Sequence, residues 1–290
     1  MTEEINKLVK YGAVFAIILM LGSAVLVGLT VFGSNDSTNS VAFTFINAKD
    51  GVKYLPDGLL SVNIIKIDPD DEIAASLNNS FPGVAFEKMM VGSYESGGLE
   101  YYAIKNAGSG NITVPGNPRY ENYDDYKIAV TQSNQHVIVG NPLIITTFFN
   151  SSNDATLSKK ALDVISNKTP GATNLNDILS YADDESNYEE IIAFKANAGS
   201  DYDKYYQRAS ILYNGTLQLE AIILSPNENV KKSVEEFAKI DSENTTITVT
   251  ENGPALKMYI NSTDGPLFVE EMDKLMTLLA SHTVQGNLTA

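Results

Sequence analysis

The feature that most constrains this chain is an uncharged apolar run near its N-terminus. Residues 12–32 include no Asp, Glu, Lys or Arg. A helix of about 21 residues is roughly 31 Å long, which is close to the thickness of the hydrocarbon core of a bilayer. Hydrocarbon offers the backbone no hydrogen-bond partners, so a segment that crosses it must be helical. The run therefore predicts a transmembrane helix over residues 12–32, with the lipid bilayer as its partner.

The residues on either side of this run indicate its orientation. The leader, residues 1–11, carries two lysines but also two glutamates, so it lacks the strongly basic start of a secretory signal. Residues 33–40 form a polar linker without Lys or Arg. The positive-inside rule then places the N-terminus in the cytoplasm and the C-terminal domain outside. We expect a signal-anchor in a single-pass cell-membrane protein, and cleavage near Ser34 is the alternative.

The composition excludes several classes of function. The chain has 290 residues and a net charge of −16. An acidic surface repels the phosphate backbone of DNA and RNA, so we expect no nucleic-acid partner. The chain contains no cysteine, which excludes disulfide bonds, thiolate metal centres and cysteine nucleophiles. Because exterior domains of animals and plants usually carry disulfides, an acidic, cysteine-free chain favours a prokaryotic source.

Acceptor sequences for N-glycosylation are frequent in the chain. Asn-x-Ser/Thr occurs nine times, always C-terminal to the apolar run. Roughly four would arise by chance in a chain so rich in Asn, Ser and Thr. The excess predicts an extracellular glycoprotein, and unmodified turn sequences are the alternative. The candidate asparagines are Asn35, Asn78, Asn111, Asn150, Asn167, Asn214, Asn244, Asn261 and Asn287.

Patterns of apolar residues predict strands and helices beyond the linker. The segments "LLSVNIIKI" (59–67) and "TLQLEAIIL" (216–224) are typical of strands. The second is followed by "SPNENVKKSVEEFAKI", in which Ser225 would cap a helix and Pro226 would occupy its first position. Residues 245–280 then predict a β-hairpin and a final amphipathic helix.

These elements lead to a prediction of the fold class. Near the C-terminus the order is strand, helix, strand, strand, helix, which resembles most of a split βαβ unit. We predict an α+β exterior domain, with a ferredoxin-like βαββα element near the C-terminus, on one N-terminal transmembrane helix. Residues 41–135 would form a first α+β or β-rich region. Residues 136–290 would form a second α+β region that includes the ferredoxin-like unit.

The sequence contains no motif for a particular reaction. Its two histidines, His136 and His282, are far apart, and neither belongs to an H-x-x-x-H or H-E-x-x-H pattern. A Ser-His-Asp triad would have to use one of them. A phosphate-binding G-x-x-x-x-G-K-[ST] sequence and a G-x-S-x-G sequence are also missing. We therefore predict no catalytic and no cofactor-binding residue, and we favour a non-enzymatic protein.

Local acidic clusters are the remaining candidates for chemistry. Asp68, Asp70 and Glu72 alternate like the first ligands of an EF-hand loop, but the Gly and the Glu expected later in that loop are missing. Ca²⁺ is the one cofactor that this cluster suggests. Paired carboxylates, for example in "YENYDDY" (120–126), would alternatively cleave glycosidic bonds. A membrane-anchored, carboxylate-based hydrolase is therefore an alternative function.

The layout and composition resemble those of anchored surface proteins of archaea, especially methanogens. The resemblance implies a non-enzymatic, membrane-anchored extracytoplasmic surface or complex-assembly protein, and it carries no site residues. The charged leader and long apolar helix are also similar to archaeal pilins, which implies a filament subunit. Tyr11 and Ile17 depart from the charged residues that pilins carry at such positions. Ala24 and Gly28, four residues apart, suit self-association or packing in a membrane-protein complex.

Overall fold

A computed structural model describes residues 48–70, 72–114, 116–131, 135–148, 156–183, 190–212, 214–239 and 244–283. Their contacts divide the chain into two compact units. The described part of the first unit runs from residue 48 to residue 174, and that of the second unit runs from residue 175 to residue 283. The predicted leader, transmembrane helix and linker, residues 1–40, lie outside the described residues.

Antiparallel strands dominate the first unit. The seven strands of its described part are joined in the order β1-β2-β3-β7-β6-β5-β4, and three helices accompany them. The strands are β1 (Leu59–Lys66), β2 (Phe86–Tyr94), β3 (Gly98–Lys105), β4 (Arg119–Tyr123), β5 (Tyr126–Val130), β6 (His136–Ile138) and β7 (Leu143–Phe148). The helices are α1 (Ala48–Val52), α2 (Glu72–Ser80) and α3 (Thr156–Ile165).

Tight turns connect several of the neighbouring strands in this unit. Gly97, in the turn between β2 and β3, has a φ of 80°, which a residue with a side chain rarely adopts. Asp124 takes the same left-handed region in the turn between β4 and β5, and Asp is one of the few side chains that tolerate it. Strand β3 is buried along nearly its whole length because β2 and β7 flank it.

The second unit is also built on antiparallel strands. Its sheet has the order β11-β12-β10-β9-β8. The strands are β8 (Glu190–Lys195), β9 (Lys204–Ile211), β10 (Leu217–Leu224), β11 (Thr245–Asn252) and β12 (Ala255–Ser262). Its helices are α4 (Asn176–Leu179), α5 (Glu228–Phe237) and α6 (Gly265–Ser281). Strand β11 is an edge of this sheet, and Thr246, Thr248 and Thr250 on it are exposed.

One face of the second sheet forms a core with α5 and α6. Alternate residues of a strand point to the same face, and Leu219 of β10 and Met258 of β12 belong to a cluster with Val234 and Phe268 of the two helices. Each helix is capped at its start: Asn227 accepts backbone hydrogen bonds for α5, and Asp264 does so for α6. The opposite face of the sheet does not belong to this apolar core, and polar and charged side chains can occupy it.

The predicted fold class is wrong for the described chain. Twelve antiparallel strands and few helices replace the predicted α+β domain. The order β10, α5, β11, β12, α6 agrees with the local sequence signals. Strand β10 pairs with β12 on one side, but its other neighbour is β9, which precedes it in the chain. Pairing therefore extends the sheet toward β8, and no separate ferredoxin-like unit forms.

The membrane features of that prediction are corrected as well. Within the described ranges, no helix has the length and apolar character needed to cross a bilayer. The transmembrane helix and signal-anchor were predicted for residues 12–32. That segment lies outside the described ranges, so it is not among these helices.

Candidate functional site

A buried group of charged residues lies on the face of the second sheet that does not contact α5 and α6. Arg208 on β9 pairs in register with Glu220 on β10, which pairs with Tyr259 on β12. Directly opposed residues share a face, and Lys257 joins them because it is two residues from Tyr259. Asp183, which follows α4, completes the group. The Lys257 cluster consists of Asp183, Arg208, Glu220, Lys257 and Tyr259.

Short polar contacts connect the Lys257 cluster. Lys257 Nζ lies 2.6 Å from Asp183 Oδ1 and 2.8 Å from Glu220 Oε1. The Tyr259 hydroxyl donates to Asp183 Oδ2 at 2.7 Å, and the Asp183 backbone N–H donates to Glu220 Oε1 at 3.0 Å. Arg208 Nη2 is 2.8 Å from Glu220 Oε2, as an ion-pair contact rather than a well-directed hydrogen bond. The positive charges of two cations therefore balance the negative charges of two carboxylates in this cluster.

Burial and hydrogen bonding shift the pKa values of Lys257 and Asp183 in opposite directions. The side chains of Arg208 and Glu220 are only 2% and 0% exposed, and that of Lys257 is 11% exposed. Burial alone would lower the pKa of Lys257, but its hydrogen bonds with Asp183 and Glu220 outweigh that effect and raise the pKa above its usual value. Burial would raise the pKa of Asp183, and hydrogen bonds from Lys257 and Tyr259 lower it instead. Lys257 and Asp183 thus form an ion pair at neutral pH.

A second buried carboxyl group lies in the first unit. Glu100 on β3 is fully buried, and the hydroxyls of Tyr94 and Tyr102 donate to its Oε2 at 2.8 and 3.0 Å. Thr146 contacts Glu100 Oε1 at 3.3 Å. The glycine at position 92 makes room for this arrangement, since a Cβ there would lie 3.1 Å from the hydroxyl oxygen of Tyr94. The Tyr94 ring therefore passes over Gly92 to reach Glu100.

The charge state of Glu100 follows from its burial. Removal from water raises its pKa from 4.5 to about 8, and the hydrogen bonds from its three hydroxyl neighbours offset only part of that rise. At neutral pH the group is mainly a carboxylic acid. The Thr146 hydroxyl donates to Oε1, and those of Tyr94 and Tyr102 donate to Oε2, so both oxygens of the group have a hydrogen-bond partner.

A third arrangement has the connectivity of a Ser-His-Asp triad. His282 Nδ1 lies 2.8 Å from Asp201 Oδ2, and His282 Nε2 lies 3.2 Å from Ser233 Oγ. A carboxylate only accepts hydrogen bonds, so Nδ1 carries the hydrogen and Nε2 of the neutral ring faces the Ser233 hydroxyl. The hydrogen bond with His282, and a further one from Asn227, hold the pKa of Asp201 below its usual value.

The surroundings of Ser233 limit what this arrangement can do. Acyl transfer at a serine needs N–H donors for the developing oxyanion. Ser233 lies within α5, and the first-turn amides of Asn229 and Val230 donate to the side chain of Asn227, while Lys231 N donates to its carbonyl. These amides are therefore occupied. The contacts of His282 and Asp201 join the end of α6, the middle of α5 and the segment before β9.

The predicted glycosylation sites have different environments. Asn35, Asn150 and Asn287 lie outside the described residues. Asn261 is half-buried on β12, and its side-chain oxygen accepts a hydrogen bond from Gln218. The other candidates are exposed to solvent, and they are Asn78, Asn111, Asn167, Asn214 and Asn244.

The acidic segments form local contacts rather than one centre. Asp68 is half-buried, its Oδ1 accepts a hydrogen bond from Asp70 N at 3.2 Å, and Glu72 begins α2. In the described part of the chain, no group of three or more His, Cys, Asp or Glu residues is arranged to hold a metal ion. Calcium binding by this cluster stays a prediction. In the segment 120–126, the Tyr123 hydroxyl donates to both oxygens of Asp163 at 2.9 Å.

The buried charged groups were missed by inspection of the sequence. Each is a charged residue with uncharged neighbours inside a mainly apolar strand: Glu100 in "GLEYYAI" (98–104), Glu220 in "LQLEAIIL" and Lys257 in "ALKMYINS". A lone charge in such a strand requires a buried partner, and this was the available signal. The partners are distant in the chain, as with Asp183 and Lys257, so the sequence did not identify them.

Comparison with known proteins adds no relative. No known protein family matches the chain. No curated protein is similar to it at a significant level either.

Proposed function

We propose that this is a non-enzymatic, extracytoplasmic surface or complex-assembly protein. The observation that carries the proposal is the exposure of most described glycosylation candidates on both units. Asn78, Asn111 and Asn167 are exposed on the first unit, and Asn214 and Asn244 are exposed on the second. A glycosyltransferase needs access to the side-chain amide, and a bulky glycan is compatible only with a surface position.

The character of the chain supports this assignment. An acidic, cysteine-free chain of net charge −16 remains soluble at high density and repels its own copies. In the Lys257 cluster, Arg208 and Lys257 form ion pairs with Glu220 and Asp183, so these charges balance one another within the fold. A role in display or assembly makes no further demand on them.

The test is to isolate the protein from its native cells and to map glycans and outside exposure. We expect glycopeptides at one or more of the exposed asparagines, and none at the half-buried Asn261, which serves as the internal control. We also expect protease added to intact cells to degrade the chain. An unmodified chain that is protected from external protease would overturn the proposal.

A second candidate function is acyl transfer at Ser233. The distances from His282 Nε2 to Ser233 Oγ and from His282 Nδ1 to Asp201 favour it, and it requires an oxyanion donor other than the first-turn amides of α5. A fluorophosphonate probe tests it on the purified chain. Labelling that is lost in Ser233→Ala and kept in the control Ser225→Ala would support an enzyme. A wild-type chain that does not react removes this candidate.

A further inference from the structure

The Lys257 cluster holds the amino group of a lysine against the carboxyl group of an aspartate in a partly buried site. We propose that Lys257 Nζ and Asp183 Cγ form an intramolecular amide bond, with Glu220 as the proton carrier. The bond would be a covalent modification of the second unit. The proposal is independent of the surface role, because it concerns the chemistry of this cluster wherever the chain is located.

Proximity is the first argument for this bond. Lys257 Nζ and Asp183 Oδ1 are 2.6 Å apart, although the two residues are 74 positions apart in the chain. Contact of this kind converts a bimolecular condensation into a unimolecular one, and effective molarities of about 10⁵–10⁸ M are known for well-oriented groups. Amine and carboxyl groups condense slowly in water, so orientation is what the reaction needs from the protein.

Both reacting groups are held in place by several contacts. Lys257 Nζ also contacts Glu220 Oε1 at 2.8 Å and donates to the Tyr181 carbonyl at 3.2 Å. Around Asp183, the backbone N–H donates to Glu220, Arg208 Nη1 donates to the backbone carbonyl at 3.3 Å, and the Tyr259 hydroxyl donates to Oδ2. The carboxyl group therefore cannot rotate away from the amine without breaking other hydrogen bonds.

Lys257 is more buried than the lysine of an ordinary surface ion pair in the second unit. Its side chain is 11% exposed and contacts a fully buried glutamate, and the side chain of its partner Asp183 is 43% exposed. Lys231, which pairs with Glu251 at 3.0 Å, is 31% exposed, and its partner is 61% exposed. Water solvates the exposed pair more fully. In the Lys257 cluster, Nζ has two carboxylate acceptors for its protons, Asp183 Oδ1 at 2.6 Å and Glu220 Oε1 at 2.8 Å.

The reaction is balanced without any further reagent. One proton moves from the Lys257 ammonium to Asp183 Oδ1 across their 2.6 Å contact, which gives a neutral amine and a carboxylic acid. The amine lone pair attacks Asp183 Cγ, and Glu220 accepts the second proton that Nζ loses. One C–N bond forms and the bond from Cγ to Oδ1 breaks. The two protons that Nζ loses leave with this oxygen as one water molecule, one of them carried by Glu220, which ends as the carboxylate it was at the start.

Tyr259 has a defined part in this step. Its hydroxyl donates to Asp183 Oδ2 at 2.7 Å, the oxygen that remains as the carbonyl of the new amide. A donor at that position stabilises the negative charge that Oδ2 acquires while Nζ adds to the carbon. Tyr259 is therefore a positioning and stabilising residue for the condensation, and Lys257 and Asp183 are the groups that react.

The test is the intact mass of the full-length chain, expressed without glycosylation and then denatured. We expect a mass lower than that of the sequence by one water molecule, and a proteolytic fragment in which the peptides containing Asp183 and Lys257 are joined. Lys257→Arg keeps the charge but not the nucleophile, so it should show the full sequence mass. Lys231→Arg is the matched control and should keep the mass deficit.

Two further results decide the proposal when a variant folds poorly. In Glu220→Gln the fraction of chains that contain the amide bond between Lys257 and Asp183 should be lower than in the wild-type, because the proton carrier is lost. The wild-type chain itself gives the overturning result: a mass equal to that of the sequence after prolonged incubation in the folded state. A water loss confined to a single peptide, such as a succinimide, also counts against the bond.

Discussion

The buried carboxyl group of Glu100 makes the stability of the first unit depend on pH. Replacement of this residue by Gln is the most informative perturbation. The amide is neutral at every pH and has nearly the same shape. Its Oε1 can accept from Tyr94 and Tyr102, and its Nε2 can donate to Thr146 Oγ1, so the hydrogen bonds of the buried acid are retained.

The magnitude follows from linkage between protonation and folding. Burial raises the pKa of Glu100 from 4.5 to about 8, so between these values the folded chain holds a proton that the unfolded chain has lost. The free energy of unfolding of the wild-type then falls by about 1.4 kcal/mol per pH unit, which sums to an effect on the order of 5 kcal/mol over the whole range. The contribution of Glu100 is most favourable below pH 4.5, and it levels off above pH 8.

Urea unfolding followed by far-UV circular dichroism from pH 5 to pH 9 measures this dependence. We expect the stability of Glu100→Gln, relative to that of the wild-type, to increase by about 1.4 kcal/mol for each pH unit up to pH 8. Glu87→Gln, at an exposed position on β2, is the control and should follow the wild-type. Equal slopes for Glu100→Gln and the wild-type between pH 5 and pH 8 would refute the reasoning.

Three further perturbations test the packing of both units. Phe268→Ala removes a fully buried ring from the core under α6 and should lower the free energy of unfolding by about 3–5 kcal/mol. Asn227→Ala removes the cap of α5 and should cost about 1 kcal/mol, measured by urea unfolding, whereas Asn229→Ala on the same helix should cost less. Gly171→Ala would place a Cβ against the backbone carbonyl of Lys53 and should cost about 1–3 kcal/mol in the same assay. A neutral effect of any one of these changes contradicts the contacts described for it.

Local structure in the second unit was largely predictable from sequence. Alternation at Ile247 and Val249 predicted a strand, and the structure has β11 there. The apolar spacing of residues 266–280 predicted a helix, and α6 occupies Gly265–Ser281 with Phe268 buried. Such patterns are set by residues close together in the chain, so they can be identified from one sequence.

The start of α5 shows where a local signal misleads. Ser225 followed by Pro226 predicted the cap, but the cap is Asn227. Ser225 has a φ of 53°, and its N–H donates to the carbonyl of Pro254 in the β11–β12 turn. An N-cap residue needs an extended backbone, so the tertiary contact excludes Ser225 from this role.

Strand pairing and the candidate sites were beyond prediction for a related reason. Periodicity identifies a strand but not its neighbours, so β9 was not assigned to the position beside β10, and the fold class was wrong. The carboxylates that were singled out occur in runs, such as residues 68–72. The buried ones occur singly, and their partners lie on other strands whose register the sequence does not display.

The edge position of β11 has a consequence for behaviour in solution. Its outer backbone groups are those of an eight-residue strand whose first six residues, "TTITVT", carry no charge. Uncharged edges of this kind can pair with the edges of other molecules. Here the net charge of −16 opposes such encounters, and that repulsion extends only about 10 Å at 0.1 M salt and about 3 Å at 1 M. Ionic strength therefore sets whether this edge remains solvated or becomes the point at which chains join.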